Sequence, residues 1–328
     1  MAKITLYDYQ QDIVNSTNNL IAKGDKTILI QAETGAGKSV IIAELANTLP
    51  GRTLVLTHRV EILLQNAEWL DDLGIITSKY TSRAKDAKTV IAMVQTMHSR
   101  IKRVGASFYG EFDNIIVDEA HVQIFEKVYS QIKHNILIGL TATPVLLGHR
   151  TVEVQGQEFK QKLSMGEHYS GKVIGPSTST LIRLGRLTKE RAIKLVVPNF
   201  DRLPTRNTRD YTSKELDTVY NNRAAQEVLL KAYEDYGKGK KVIIFNATTS
   251  VNKPTVEMFR QNGYEAKSYD SRNNNKKERE AILNWFKRTR NAILVNTGVF
   301  TTGLDVRDID VVIVNRATVS LALWRQMV

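Results

Sequence analysis

The run Ala32-Glu33-Thr34-Gly35-Ala36-Gly37-Lys38-Ser39 constrains this chain more than any other feature. It follows a β-branched apolar run, Thr27–Gln31, and opens a stretch with helical spacing of apolar residues, Lys38–Leu49. A glycine-rich turn between a strand and a helix curls its backbone until several N–H groups face one point. The helix dipole adds positive potential there, so the turn is a phosphate cradle. Thr34, Gly35, Ala36 and Gly37 line it, and Ala32 stands where the general pattern has glycine. Lys38 supplies a charge to the terminal phosphates of a nucleoside triphosphate, and the Ser39 hydroxyl is a ligand for Mg²⁺.

The surrounding pattern fits a phosphate cradle. Thr53–Thr57, Thr89–Met93, Asn114–Val117 and Ile136–Leu140 are short apolar runs, and Val60–Leu70 has helical spacing. Near-continuous apolar strands belong to parallel sheets covered on both faces. Their alternation with helices predicts a doubly wound α/β domain. The same pattern returns later, with strands at Lys241–Phe245, Ala292–Asn296 and Val311–Asn315 and helices at Ala224–Tyr236, Pro254–Asn262 and Lys276–Arg288. Between the two, residues 145–215 are richer in Gly, Ser, Thr and Arg and are broken by Gly175-Pro176 and Leu203-Pro204. The expected organisation is two α/β domains, 1–180 and 181–328.

Asp118-Glu119-Ala120-His121 comes directly after the strand at 114–117. A carboxylate at the C-terminal edge of a parallel strand faces the same crevice as the cradle. Asp118 is therefore expected to hold Mg²⁺, and Glu119 to orient or deprotonate an attacking water.

Charge adds a second kind of partner. The chain has 46 Lys+Arg against 34 Asp+Glu, a net charge of +12. Residues 1–143 hold 15 basic and 15 acidic side chains, so the remaining 31 and 19 place the whole excess in residues 144–328. A half this basic points to a polyanion. The absence of cysteine excludes a disulfide scaffold, a zinc ribbon and a thiol nucleophile. The six histidines are too scattered for a metal site. No apolar run approaches the roughly 20 residues of a membrane helix, and the N-terminus lacks the layout of a signal peptide. A cytoplasmic protein without a membrane partner is expected.

These motifs resemble, in order, those of superfamily 2 helicases of the DEAH-lettered group. The resemblance implies two tandem RecA-like domains with ATP and Mg²⁺ in the cleft between them, and it extends a catalytic role to His121. Tyr9-Gln10 resembles the Q motif, with Gln10 on the adenine edge; Tyr7 occupies a position that is often Arg and could stack on the base. His58-Arg59 resembles motif Ia, and Gln95-Thr96 the next strand-contacting motif. Thr141-Ala142-Thr143-Pro144 resembles motif III, which links the ATP site to the nucleic-acid path. Val242–Phe245 resembles motif IV. Thr297, Gly303 and Asp305 resemble motif V, with Thr297 on a nucleic-acid phosphate and Gly303 and Asp305 approaching the nucleotide. Gln326 resembles the opening of motif VI, whose Gly-Arg would come next. The second domain is therefore expected to be incomplete at its C-terminus. Such a truncated chain binds ATP but, lacking an arginine finger, hydrolyses it poorly.

Gly156-Gln157-Glu158-Phe159, Gly175-Pro176-Ser177 and Leu181–Leu187 are similar to the phage branch-migration helicases of the UvsW type, and more distantly to RecG. That implies forked or four-way DNA, a role in recombination or repair and, for a phage protein, the host cytoplasm. A strand-separating wedge is sought in 148–172, where Arg150, Lys160, Lys162 and Lys172 surround Phe159 and Tyr169, and where TVEVQ could be one arm of a hairpin. The alternative is an interdomain connection whose Phe159 and Tyr169 pack on the core. A second basic set, Arg183, Arg186, Lys189, Arg191 and Lys194, has helix-like spacing suited to phosphates or to a solvated face. Alternatives to a branched-DNA helicase are a duplex translocase, an RNA helicase and an ATP-gated binding switch.

Overall fold

The computed structural model describes residues 5–58, 69–78, 81–144, 149–154, 157–162, 164–205, 210–269, 276–297, 306, 308–320, 323–324 and 327. The helix expected at Val60–Leu70 falls almost wholly outside them, as do Arg59, Gly303, Asp305 and Gln326. The chain divides into two units, Met1–Lys189 and Glu190–Val328.

Unit 1 begins with helix α1 (Asp8–Ala22), strand β1 (Thr27–Gln31) and helix α2 (Lys38–Thr48). Strands β2 (Thr53–Thr57), β3 (Leu73–Ile76), β4 (Thr81–Ser82) and β5 (Thr89–Met93) follow, then helix α3 (Val94–Val104). Next come β6 (Asn114–Asp118), the short helix α4 (Glu126–Tyr129) and β7 (Ile136–Thr141). The unit ends with β8 (His149–Val154), β9 (Gln157–Lys162), β10 (Gly171–Ile174) and helix α5 (Thr178–Arg183). Among the described residues one sheet has the order β10-β1-β7-β6-β2-β5-β3-β4, parallel throughout except for the β3–β4 pair. Successive strand residues point to opposite faces, and both faces are buried. Ile28 and Ile30 pack with Ile116 and Ile138 on one side, while Leu29 packs with Ile115, Val117 and Leu137 on the other. This is why the strand sequences read as unbroken apolar runs.

Unit 2 holds helices α6 (Ser213–Tyr220) and α7 (Arg223–Tyr236), then β11 (Val242–Asn246), α8 (Thr249–Gln261), β12 (Ala266–Tyr269), α9 (Lys276–Arg288), β13 (Ile293–Asn296) and β14 (Val311–Asn315). Its described strands form a parallel sheet in the order β12-β13-β11-β14. The doubly wound α/β class expected from the sequence is the observed one. No described helix is long and apolar enough to cross a membrane.

Residues 181–189 lie in unit 1, just past the division expected near 180, because Leu181 is buried with Ile13, Ala32 and Val173 and Leu187 packs on the same cluster. Two expectations are corrected. The basic set from Arg183 to Lys194 does not form a helix. Helix α5 ends at Arg183, Gly185 takes the left-handed conformation at φ 66°, and residues 188–197 have no regular structure. The helix expected from Pro254 starts earlier, at Thr249, with the proline inside it. The alternating stretch near 151–155 does lie on one arm of an antiparallel ladder, which pairs β8 with β9.

Candidate nucleotide site and nucleic-acid contacts

Strand order decides which sequence motifs meet. In unit 1, β7 lies between β1 and β6, and in register Gln31 pairs with Thr141 while Asp118 pairs with Leu140. The turn after β1, the acids that end β6 and the threonine that ends β7 therefore share one edge of the sheet. Backbone bonds seal the edge, with Ala32 N–H donating to Thr141 O at 3.0 Å and Ala120 N–H to Leu140 O at 2.8 Å.

The cradle itself requires two glycines. Gly35 and Gly37 sit at φ 81° and 77°, a region that costs other residues roughly 1–2 kcal/mol. Gly37 caps α2, and its C=O accepts from Val40 N–H at 3.0 Å. Ala32 stays outside the left-handed region and is fully buried, so alanine serves there without strain. Thr34 and Gly35 are exposed, and Ser39 is half-buried on the first turn of α2.

Four side chains converge on this edge. Lys38 Nζ lies 3.6 Å from Glu119 Oε1. Glu119 Oε2 lies 3.4 Å from His121 Nδ1, and that nitrogen lies 2.9 Å from Thr141 Oγ1. Thr141 Oγ1 in turn accepts from Thr143 N–H at 3.0 Å. Glu119 is held at φ 55°, an uncommon conformation for a non-glycine residue and a form of strain typical of functional sites. Burial pushes the His121 imidazole below its ordinary value; the Glu119 carboxylate opposes this and Lys38 reinforces it. His121 is thus neutral at physiological pH. Asp118 is 4% exposed at the end of β6.

The adenine-side residues are arranged differently from the expectation. Gln10 is buried, and both ends of its amide are engaged: Oε1 accepts from Tyr7 N–H at 3.0 Å, and Nε2 donates to Ala36 O at 3.1 Å. It ties α1 to the cradle rather than presenting an open edge to a base. A Cβ at Gly37 would collide with that amide. Tyr9, unassigned from the sequence, donates its hydroxyl to the same Ala36 carbonyl at 3.2 Å. The Tyr7 ring stacks on Tyr9 at 5.9 Å and is covered by the Arg186 guanidinium at 3.6 Å, so a base cannot lie directly on the face that Arg186 covers. Arg186 accordingly belongs beside the cradle and not on a helical basic face.

The candidate strand contacts are partly assembled. Gln95 is exposed at the start of α3, and its Nε2 donates to His58 O at 3.0 Å, which brings the two motifs together; Thr96 is half-buried beside it. His58 packs edge-on against Phe125. In unit 2, Thr297 Oγ1 donates to Asn252 Oδ1 at 3.0 Å, a partner that no motif marked. Arg183 is exposed at the end of α5. Tyr169 is corrected: it is 7% exposed and packed in the unit 1 core, and burial pushes its hydroxyl far above the ordinary range. It cannot stack on a base. Phe159 lies on β9 opposite Val152.

Known proteins carry the same two halves. Residues 3–146 match the family of the type III restriction enzyme res subunit, and residues 223–328 match the helicase conserved C-terminal domain. The chain belongs to the superfamily 2 helicases. IRC3 of Saccharomyces cerevisiae, whose name describes an ATP-dependent helicase, is 27% identical over 98% of this chain and 48% of its own length. A 51.5 kDa protein of a Lactococcus phage is 26% identical over 91% of the chain and 61% of its own length. The DNA 3'-5' translocase XPB2 of Sulfurisphaera tokodaii is 24% identical over 95% of the chain and 75% of its own length. This helicase chain thus spans about half the length of the first of these relatives. Among solved structures, the type ISP restriction-modification enzyme LlaBIII bound to DNA superposes with a TM-score of 0.65 at 16% identity, over 99% of this chain and 27% of that one. Dbp5 of S. cerevisiae bound to RNA superposes at 0.57 and 13% identity, over 98% of this chain and 78% of that one. These likenesses show tandem RecA-like domains.

Proposed function

We propose that this helicase chain couples ATP hydrolysis to movement along DNA, and that its substrate is branched, a fork or a four-way junction. The observation that carries the ATPase reading is the cluster Lys38–Glu119–His121–Thr141 at one sheet edge. Lys38 neutralises charge on the β- and γ-phosphates. Glu119 accepts the proton of the attacking water, and neutral His121, hydrogen-bonded to Thr141, holds that carboxylate in place.

Mg²⁺ fits the donors present. Ser39 and Asp118 offer hard oxygen ligands, and among the described residues no group of three His, Asp or Glu could hold a metal alone. Mg²⁺ takes one or two protein oxygens and completes its shell with phosphates and water. Bound there, it neutralises charge on the transferring phosphoryl group.

DNA as the track is supported by the name of XPB2 and by LlaBIII, while the ladder of β8 and β9 supplies a two-stranded element suited to parting a duplex. The chain's basic excess, all in residues 144–328, favours backbone contacts that are independent of sequence.

The test measures ATP turnover by the protein with single-stranded, blunt-duplex, forked, four-way and RNA substrates, alongside strand displacement. Stimulation greatest on forks and junctions, with displacement, supports the reading. Greatest stimulation by blunt duplex without displacement makes the protein a translocase, and stimulation by RNA alone reassigns the track. If a Lys38→Ala variant still unwinds forks normally, the motor reading fails.

A further inference from the structure

Arg186 is far from the cradle in sequence and beside it in space. Helix α5 closes with paired capping bonds: Gly185 N–H donates to Ile182 O at 2.9 Å, and Arg186 N–H to Leu181 O at 2.8 Å. This is the Schellman arrangement, which needs the left-handed Gly185 and reverses the chain. The reversal lays Leu187 against the phosphate turn, where a Cβ on Gly35 would come within 2.5 Å of Leu187 Cδ2. It also lays Arg186 over Tyr7, with the guanidinium carbon 3.6 Å from the ring centroid. At that distance the planar group must lie flat on the ring. Tyr9 stacks beside Tyr7 and is bonded to Ala36 of the cradle. The charge of Arg186 reaches Tyr9 as well, drawing its phenol down against the larger upward effect of burial.

We infer that Arg186 is the base-binding residue of the nucleotide site. A purine lies on the guanidinium face turned away from Tyr7, so that base, guanidinium and phenol form one stack beside Gly35 and Ala36. Arg186 is exposed, and guanidinium is weakly hydrated and flat, which suits it to stack between two aromatic planes. The inference rests on the reading of the Lys38 cradle as an ATP site.

Calorimetric titration of the full chain with ATP and with inorganic tripolyphosphate, both with Mg²⁺, tests it. Arg186→Ala should weaken ATP by about tenfold and leave tripolyphosphate unchanged, since only ATP has a base to stack. Arg186→Lys should recover little, because an ammonium offers no flat face. The inference is overturned if Arg186→Ala binds ATP like the parent, if both ligands weaken equally, or if ATP affinity survives while DNA affinity falls. Lys38→Ala separates the two readings. It should weaken both ligands, and if it weakens neither, the ATP-site reading fails whatever Arg186 does.

Discussion

Lys38 and Glu119 form an ion pair across the sheet edge, with Nζ 3.6 Å from Oε1 and both side chains largely buried. The residue expected to hold phosphate is therefore held by the residue expected to activate water. A bound triphosphate competes with the carboxylate for Lys38 and leaves Glu119 to the water. Glu119→Gln keeps the shape, removes the competing charge and cannot accept a proton. ATP should bind at least as tightly as to the parent, while turnover falls by about 10²–10⁴-fold. A turnover rate within a few-fold of the parent, measured under saturating ATP, would show that Glu119 is not the base.

His121 gives the site a pH dependence with a defined sign. Its imidazole titrates below the ordinary value of 6.5 because burial penalises the cation. Between the folded value and 6.5 the unfolded chain binds a proton that the native state does not. The contribution to stability is complete above 6.5 and is lost as pH falls toward the folded value. Melting midpoints measured from about pH 7.5 to about pH 5 should decline, and His121→Gln should flatten part of that decline. Resonance titration of the ring should place its midpoint below 6.5.

The Tyr169 ring belongs to the fold and not to the DNA. Its hydroxyl lies where a Cβ on Gly139 of β7 would sit, and the ring packs in the cluster with Ala120 and Phe125. Tyr169→Ala should destabilise unit 1 by roughly 3–5 kcal/mol in urea unfolding, the range for emptying an aromatic core position. Gly139→Ala should destabilise it too, through the reverse clash. A Tyr169→Ala variant with parental stability and a selective loss of strand separation would restore the base-stacking role.

What could be read from the sequence follows from how local the causes are. Strands buried on both faces announce themselves, so β1, β2, β5, β6, β7, β11 and β13 stand out as apolar runs such as TILIQ and TLVLT, and the edge strand β14 (VVIVN) is equally apolar although Val312 is exposed. The edge strands β10 (GKVI) and β12 (AKSY) are short and carry polar residues, because only part of each is covered, and they pass unnoticed. The start of α8 is hidden because Pro254 looks like a first helical residue, whereas Thr249 begins the helix. The Lys38, Asp118 and Glu119 constellation is legible because strand–turn–helix context fixes where each points. The Tyr7–Arg186 stack depends on Gly185 reversing a chain segment that reaches the cradle only through tertiary packing, which no spacing encodes.

Asn252 is predicted to act on nucleic acid through Thr297. It is fully buried in α8, and its Oδ1 accepts from Asn246 Nδ2 at 3.1 Å and from Thr297 Oγ1 at 3.0 Å. Asn246 Oδ1 also accepts from Asn315 Nδ2 at 2.8 Å, so one amide network joins the ends of β11 and β14 to the residue after β13. Fixing the Thr297 hydroxyl is what a phosphate contact needs, since a free rotor must be ordered on binding. Asn252→Ala should cost roughly 1–3 kcal/mol of unit 2 stability through the donors it strands. It should also weaken DNA binding about as much as Thr297→Ala does. Because both act on one contact, the double variant should lose little more than either single one, while the slope of log K against log salt should stay unchanged, since a neutral hydroxyl displaces no counterion. Additive losses of affinity in the double variant would mean that Asn252 acts on binding by a route other than Thr297, and an Asn252→Ala variant with parental affinity would mean that it serves the fold alone.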